Sequence, residues 1–151
     1  MKAITIWQPW ASLLAHRVKL HETRSWETAY RGPIAIHAAA VKVPQVLKRC
    51  FPEERDRTMF FDAVAKGLHE CYTTEEIVHI LEELPTGSVI ATANLVGCHK
   101  ITAIQRAYAV DNVELALGDW TPGRYAWEFS DMKLITPVPA KGKQGLWWWE
   151  P

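Results

Sequence analysis

Alternating apolar and polar positions predict β-strands at both ends of the chain. The clearest alternation lies in residues 124–130, where Tyr125, Trp127 and Phe129 interleave with charged and small side chains. Four further segments carry strand patterns: residues 2–7, 34–39, 88–101 and 134–138. Within the third of these segments, Gly97 predicts a β-bulge.

In the middle of the chain, apolar residues recur at the spacing of a helix. Residues 54–69 repeat apolar side chains every three or four positions, and Thr73 with Glu76 predicts a capping box for a second helix. We therefore predict a helical insertion over residues 44–84, which either covers an open end of the sheet or contributes to function. A short helix beginning at Pro9 follows the first strand, and residues 103–118 are interpreted as a helical connector.

This order of elements favours an α+β fold. The helical segments are too few and too clustered for a doubly wound parallel sheet, in which strands and helices alternate. We predict a small mixed β-barrel with flanking helices, formed by residues 1–151 as a single domain.

The densest group of charged and aromatic side chains lies in residues 18–37. If residues 20–26 are extended, Glu22, Arg24 and Trp26 share one face, and the Cα atoms of the first two lie about 6.5–7 Å apart. This charged pair is either a structural clasp or a small recognition site. Lys19 with Glu22 is likewise either a surface ion pair or, in a desolvated pocket, an acid–base pair.

The balance of charge narrows the classes of function. The chain has 17 basic and 17 acidic residues, so nucleic-acid binding requires a local patch rather than a whole-protein field. Motifs of phosphate-binding loops, dinucleotide sites, zinc proteases and serine hydrolases do not occur. The three cysteines lack disulfide or metal-ligand spacing, and we find no secretory or membrane-spanning segment. We therefore expect a cytoplasmic protein with reduced thiols, no membrane contact and no bound metal.

The C-terminal sequence PAKGKQGLWWWE combines cations with aromatic rings. Lys141 and Lys143 are suited to contact phosphates, while neighbouring indoles are suited to stack on bases. The alternative is that Trp147 and Trp149 close the bottom of the barrel while both lysines remain in water.

Together, these segments resemble a known family. The sequence resembles the ASCH (activating-signal-cointegrator homology) domain, which is related to the PUA fold. The resemblance is carried by ITIWQPWASLL, VKLHETRSWET, YRGPIAIHAA and YAWEF with PVPAKGKQGLW. Lys19, Glu22 and Arg24 match the family pattern G-x-K-x-x-E-x-R, whereas Arg17 stands at the position of the glycine. The resemblance implies a PUA-like β-barrel with a cleft over this motif, and a role in binding RNA or a modified nucleoside.

The resemblance also implies an alternative function. Some family members are similar to ribonucleases, and some small members hydrolyse the amide of N4-acetylcytidine with a Lys, Thr and Glu set. Here Glu22 stands where those amidohydrolases have the threonine, and Thr23 is expected on the opposite face of the strand. A hydrolase is therefore the alternative to a nucleic-acid-binding module, and a protein-interaction module is a third hypothesis.

The candidate site follows from the pattern and the resemblance together. The candidate catalytic residues are Lys19, Glu22 and Arg24. The candidate ligand-binding residues are Gln8, Trp10, Arg17, Ser25, Trp26, Tyr30, Arg31, His37, Lys141, Lys143, Gln144 and Trp147. The expected partner is single-stranded RNA or a nucleoside, with DNA as an alternative, bound by a monomer or weak homodimer. No cofactor is expected, except a divalent cation such as Mg²⁺ if the protein is a nuclease.

Overall fold

The computed structural model describes residues 1–108 and 110–151. Its elements in chain order are β1 (Lys2–Ile6), α1 (Trp10–Ala15), β2 (His21–Arg24), β3 (Gly32–Ala38), α2 (Val43–Cys50), α3 (Glu54–Leu68), α4 (Thr74–Glu82), β4 (Ser88–Lys100), α5 (Ala103–Tyr108), α6 (Asn112–Leu117), β5 (Tyr125–Pro139) and β6 (Leu146–Trp148). Among the helices of these described residues, none is long and apolar enough to cross a membrane.

The six strands form one mixed sheet in the order β2-β5-β4-β3-β1-β6. Strands β1 and β3 pair in parallel, and the other neighbours pair antiparallel. The sheet curls into a half-barrel with helices beside it, which confirms the predicted α+β, PUA-like fold. Strand β2 lies at one edge of this sheet, where its only strand neighbour among the described residues is β5.

The main core lies between the sheet and α1. Alternation along β1 buries Ile4 and Ile6, and these side chains pack with Leu14 of α1 and Trp127 of β5. Burying each such side chain contributes about 1.5–3 kcal/mol. Pro9 occupies the N-cap of α1 rather than its first helical position. The short helix is thereby fixed against the end of β1, where the site begins.

The middle of the chain forms the three helices α2, α3 and α4. Thr73 accepts a hydrogen bond from the Glu76 backbone, and the Glu76 carboxylate accepts one from the Thr73 backbone, so the predicted capping box is present. Apolar side chains of these helices form a second core, which also includes Leu13 of α1 and Leu117 of α6. The helices are therefore packed onto the edge of the site rather than separate from it.

The prediction of separate strands at 124–130 and 134–138 is wrong, because β5 runs unbroken from Tyr125 to Pro139. Asp131 adopts a left-handed backbone (φ 51°), and its carboxylate accepts hydrogen bonds from Asn94 at 3.0 Å and Ser130 at 2.8 Å. Three register shifts between β4 and β5, one of them at Gly97 as predicted, let the pair bend without breaking.

The connector predicted over residues 103–118 contains the two short helices α5 and α6. Residue 109 of that prediction lies outside the described residues. Asp111 caps α6 by accepting a hydrogen bond from the Glu114 backbone at 2.8 Å. The end of α6 then leads into Asp119, which borders the site.

Candidate functional site

The centre of the site is a chain of ionic contacts between the end of α1 and β2. Lys19 Nζ lies 3.1 Å from Glu22 Oε2, and Arg24 Nε lies 3.1 Å from Glu22 Oε1. Lys19 is only 1% exposed and Glu22 only 8% exposed. The Arg24 Nε–H is not aligned on the carboxylate, so that contact is an ion pair without a hydrogen bond. Glu22 therefore holds two cations, one on each carboxylate oxygen.

Arg24 also bridges the open side of the curled sheet. Its Nη2 donates a hydrogen bond to the backbone oxygen of Thr5, 2.8 Å away. Thr5 belongs to β1, which is not a sheet neighbour of β2. Arg24 thus joins two strands that the sheet itself leaves apart, which supports the clasp interpretation, and it still borders the open cavities described next.

Three adjoining cavities lie along this motif and share lining residues. The central cavity, about 310 Å³, contains Arg24 with Trp7 and Trp26 on its walls. It shares these three residues and Thr5 with a cavity of about 710 Å³ that we call the lysine end. On the other side it shares Trp10, Glu22, Thr23 and Arg124 with a cavity of about 450 Å³ that we call the paired end. Hereafter "the groove" means these three cavities.

The lysine end is formed by residues 140–145, which lie across β1 and β3. His37 Nε2 lies 2.9 Å from the backbone oxygen of Ala140, and because a carbonyl only accepts, we assign the proton to Nε2. Burial lowers the pKa of His37, against the opposing effect of this hydrogen bond, so the ring is neutral at pH 7. Exposed Lys141, Lys143 and Gln144 then border the cavity.

Gly142 makes the close approach of this segment feasible. A Cβ atom added there would lie 2.6 Å from Cε1 of His37 and 2.9 Å from Oγ1 of Thr5. The segment therefore rests directly on the floor of the groove, and this explains a glycine between the two lysines.

At the paired end, Arg124 has a carboxylate partner, as Lys19 has in Glu22. Arg124 Nε lies 3.2 Å from Asp119 Oδ2, and its Nη2 donates to the backbone oxygen of Thr23 at 3.2 Å. Burial opposes ionisation of Asp119, but hydrogen bonds from Thr121 and the Arg124 charge together lower its pKa. Asp119 is therefore ionised at neutral pH and neutralises Arg124.

The sequence model of the ASCH domain family matches residues 4–140 of this chain. This chain belongs to the ASCH domain family. Human activating signal cointegrator 1 is 23% identical over 144 residues, an alignment that covers 95% of this chain and 21% of the human protein. The chain thus spans about a fifth of the length of that relative. The family match confirms the resemblance inferred from the sequence.

Arg17 stands at the glycine position of the pattern G-x-K-x-x-E-x-R given above. Arg17 adopts φ 61°, a left-handed conformation that favours glycine. Its side chain is exposed and donates to the backbone oxygen of Phe129 at 3.2 Å. It borders a separate cavity with Gly67 and Asp111 rather than the groove. The turn that leads to Lys19 therefore forms here with arginine in the left-handed conformation.

Several other candidate residues of this ASCH domain do line the groove. Trp10 packs against Phe51 and Phe60 and borders the central cavity and the paired end. Ser25 borders the central cavity, and Trp26 meets Trp127 edge-to-face at 4.7 Å. Aromatic and polar surface therefore surrounds Arg24.

The remaining candidates lie outside the groove. Gln8 is fully buried, where its amide donates to Ser12 and Pro85 and its oxygen accepts from the Ser12 backbone. Trp147 is buried behind the lysine end and donates to Thr5 Oγ1 at 3.1 Å. Gln8 and Trp147 therefore support the fold of the site from behind.

Tyr30 and Arg31 stand before β3 and bond locally. Tyr30 donates to the backbone oxygen of Pro33 at 2.6 Å, and Arg31 donates to the backbone oxygens of Thr28 and Tyr30. Neither borders the groove.

Sequence reasoning missed several groove residues, of which Thr5, Trp7, Asp119 and Arg124 matter most for the site. Thr5 and Trp7 stand at the end of β1, where the outward alternation of residues 2–7 was available as a signal. Asp119 and Arg124 are brought in by a long-range loop and have no local signal. Thr23 also borders the groove although its strand face was expected to exclude it, because β2 is an edge strand whose backbone reaches the rim.

Within 1–108 and 110–151, no group of three or more His, Cys, Asp or Glu side chains is placed to hold a metal ion. The three cysteines are free thiols, and Cys50 borders the paired end.

Proposed function

We propose that the groove binds single-stranded RNA or an exposed, modified nucleobase. The observation that carries the proposal is that cationic and aromatic groups border two adjoining cavities that share lining residues. Lys141 and Lys143 flank the lysine end, Arg24 lies at the centre, and the indoles of Trp7 and Trp26 border both cavities. Cations that follow a backbone beside rings that stack on bases are the recurring features of single-strand recognition.

The charges favour an orientation for the ligand. Within the described residues, Lys141 and Lys143 have no carboxylate within ion-pair distance, whereas Lys19, Arg24 and Arg124 each have one. A phosphate gains most from cations that are not already neutralised. The phosphate therefore lies at the lysine end, and the base lies toward the central cavity, where Arg24 presents its remaining N–H groups to base edges.

Glu22 has a positioning role in this proposal. Both of its oxygens already contact cations, and the side chain is nearly buried. It therefore fixes Lys19 and Arg24 rather than accepting from a base amino group. In this proposal Glu22 orients the neighbouring side chains, and Arg24 contacts the ligand.

A binding titration tests the proposal. Fluorescence anisotropy of a labelled single-stranded RNA octamer, at low salt and over a salt series, is expected to show saturable binding that weakens with salt. Single-stranded DNA and duplex RNA of the same sequence serve as comparisons, and the duplex is expected to bind more weakly because its bases are stacked inside. Absence of binding to all three nucleic acids at low ionic strength contradicts the proposal.

A hydrolase is the second candidate, favoured by the burial of Lys19. Its ammonium lies against Glu22 beside the paired end, an arrangement in which Glu22 transfers a proton and Lys19 stabilises developing negative charge. Thr23 borders the same cavity, but its hydroxyl accepts a hydrogen bond from the Asp119 backbone at 3.2 Å. This contact favours water over Thr23 as the nucleophile.

Turnover assays decide between the two candidates. Single-stranded RNA and N4-acetylcytidine are incubated with the wild type, Lys19→Met and Glu22→Gln, each with and without Mg²⁺. A hydrolase predicts product with the wild type and loss of product in both variants, while folding is followed by circular dichroism. Product formed equally by all three proteins removes Lys19 and Glu22 from the mechanism, and no product with the wild type removes the hydrolase.

A further inference from the structure

Trp7 stands where the central cavity meets the lysine end. It follows Ile6 at the end of β1, is 37% exposed, and borders both cavities. We propose that Trp7 is the ring on which a nucleobase stacks, and that Arg49 of the helical insertion positions this ring. The inference rests on the proposed nucleic-acid-binding function and names the residue that contacts the base.

Arg49 supports one face of the indole. Its guanidinium lies 5.1 Å from the centroid of the Trp7 ring, a cation–π distance. Arg49 is in the last turn of α2 and borders neither of the two cavities that Trp7 borders. In this proposal the guanidinium lies on the face of the ring away from the groove, and the opposite face is left to a ligand.

The other indoles of the groove are held differently. Trp10 packs its ring against Phe51 and Phe60 in the second core. Trp26 is fixed edge-to-face on Trp127. Trp7 has a charged side chain behind it, so its orientation depends on the helical insertion. The insertion therefore forms part of the base-binding wall in addition to covering the edge of the fold.

Stacking on an indole predicts a preference among bases. Every base has a face that stacks, but a purine covers more of the ring than a pyrimidine does. We therefore expect an adenine octamer to bind more tightly than a uracil octamer. This preference separates a stacking role of Trp7 from a general electrostatic effect, which acts on the phosphates of both octamers equally.

The test measures affinity for fluorescein-labelled rA8 and rU8. Trp7→Ala is expected to weaken rA8 binding on the order of tenfold and to narrow the ratio of rA8 to rU8 affinity. Trp148→Ala is the matched control, because Trp148 is a 60% exposed indole on β6 that borders none of the groove's cavities. This control substitution is expected to change the affinity for rA8 and for rU8 by no more than about twofold. Trp7→Leu keeps apolar volume without a ring and replaces Trp7→Ala if that variant does not fold.

The role of Arg49 is tested by charge-matched substitutions. Arg49→Gln is expected to weaken rA8 binding about threefold and to narrow the ratio of rA8 to rU8 affinity. Arg49→Lys is expected to restore most of the rA8 affinity and most of this ratio, since an ammonium also binds an indole face. Lys48→Gln removes one exposed charge from the same helix turn and is expected to affect rA8 and rU8 equally. An Arg49→Gln effect that is equal on both octamers overturns the positioning role.

The outcomes for the binding function and for Trp7 are distinguishable. If the wild type binds neither octamer, the proposed function fails, and the inference fails with it. If the wild type binds rA8 and a folded Trp7 variant binds it equally well, the function stands and Trp7 is not the stacking residue.

Discussion

The two ends of the groove differ in how their charges are neutralised. At the paired end, Lys19 and Arg124 each contact a carboxylate, and Lys19 is almost completely buried. At the lysine end, Lys141 and Lys143 are exposed on a segment that rests on His37. Buried pairs orient side chains at a desolvation cost, whereas exposed cations remain available to a ligand. The buried contacts among Lys19, Glu22 and Arg24 therefore shape the groove, while residues 140–145 supply its exposed lysines.

The largest expected effect on the free energy of unfolding comes from removing the charge of Glu22. Glu22→Gln leaves buried Lys19 without its countercharge, and breaking a buried pair in this way destabilises by about 3–5 kcal/mol. Urea unfolding measures the change. Glu128→Gln is the control, because Glu128 is exposed and pairs with exposed His99, and it is expected to change the free energy of unfolding by less than about 1 kcal/mol. Equal effects of the two substitutions contradict the structural role of the paired end.

A smaller effect is expected from Gly142→Ala at the lysine end. The new methyl group would lie 2.6 Å from His37, so the segment shifts from the floor of the groove and unfolding becomes easier by about 1–3 kcal/mol. The same substitution in a His37→Ala background is expected to cost less, since the clash with the ring is relieved. An identical cost in both backgrounds in a double-mutant cycle shows that the contact with His37 is not the cause.

The smallest effect concerns the turn that delivers Lys19. Arg17 has a left-handed backbone, so Arg17→Gly is expected to be more stable than Arg17→Ala by about 1 kcal/mol. Both substitutions remove the hydrogen bond to Phe129, so their difference isolates the backbone. Thermal and urea unfolding give the difference. An alanine variant at least as stable as the glycine variant contradicts the backbone cost assigned to this position.

Local patterns accounted for much of the fold. Alternation placed Glu22 and Arg24 on one side of β2, and the spacing of Thr73 and Glu76 identified a helix start that is present. The break predicted within β5 was wrong because Asp131 forms a bulge whose hydrogen bonds come from Asn94 on another strand. Such a contact is invisible to a window of neighbouring residues.

The candidate site was less predictable because it depends on contacts between distant segments. Trp7 is turned toward the groove by the end of β1, and Asp119 is brought beside Thr23 by the loop after α6. The aromatic residues near the C-terminus left two alternatives open for Trp147, and the structure buries it behind Thr5 while Lys141 and Lys143 stay exposed. Residue type indicated the chemistry, but the curl of the sheet decided which side chains border the cavity.

The salt dependence of single-stranded RNA binding tests the comparison of the two ends most directly. Each phosphate contact contributes about 0.7 to the slope of log affinity against log salt for single strands. Lys141→Ala/Lys143→Ala is expected to reduce the magnitude of this slope by about 1.4 while stability is unchanged. Lys66→Ala/Lys100→Ala removes the same charge from exposed positions outside the groove and is expected to leave the slope unchanged. Equal slopes for the two double variants would contradict the assignment of the phosphate to the lysine end.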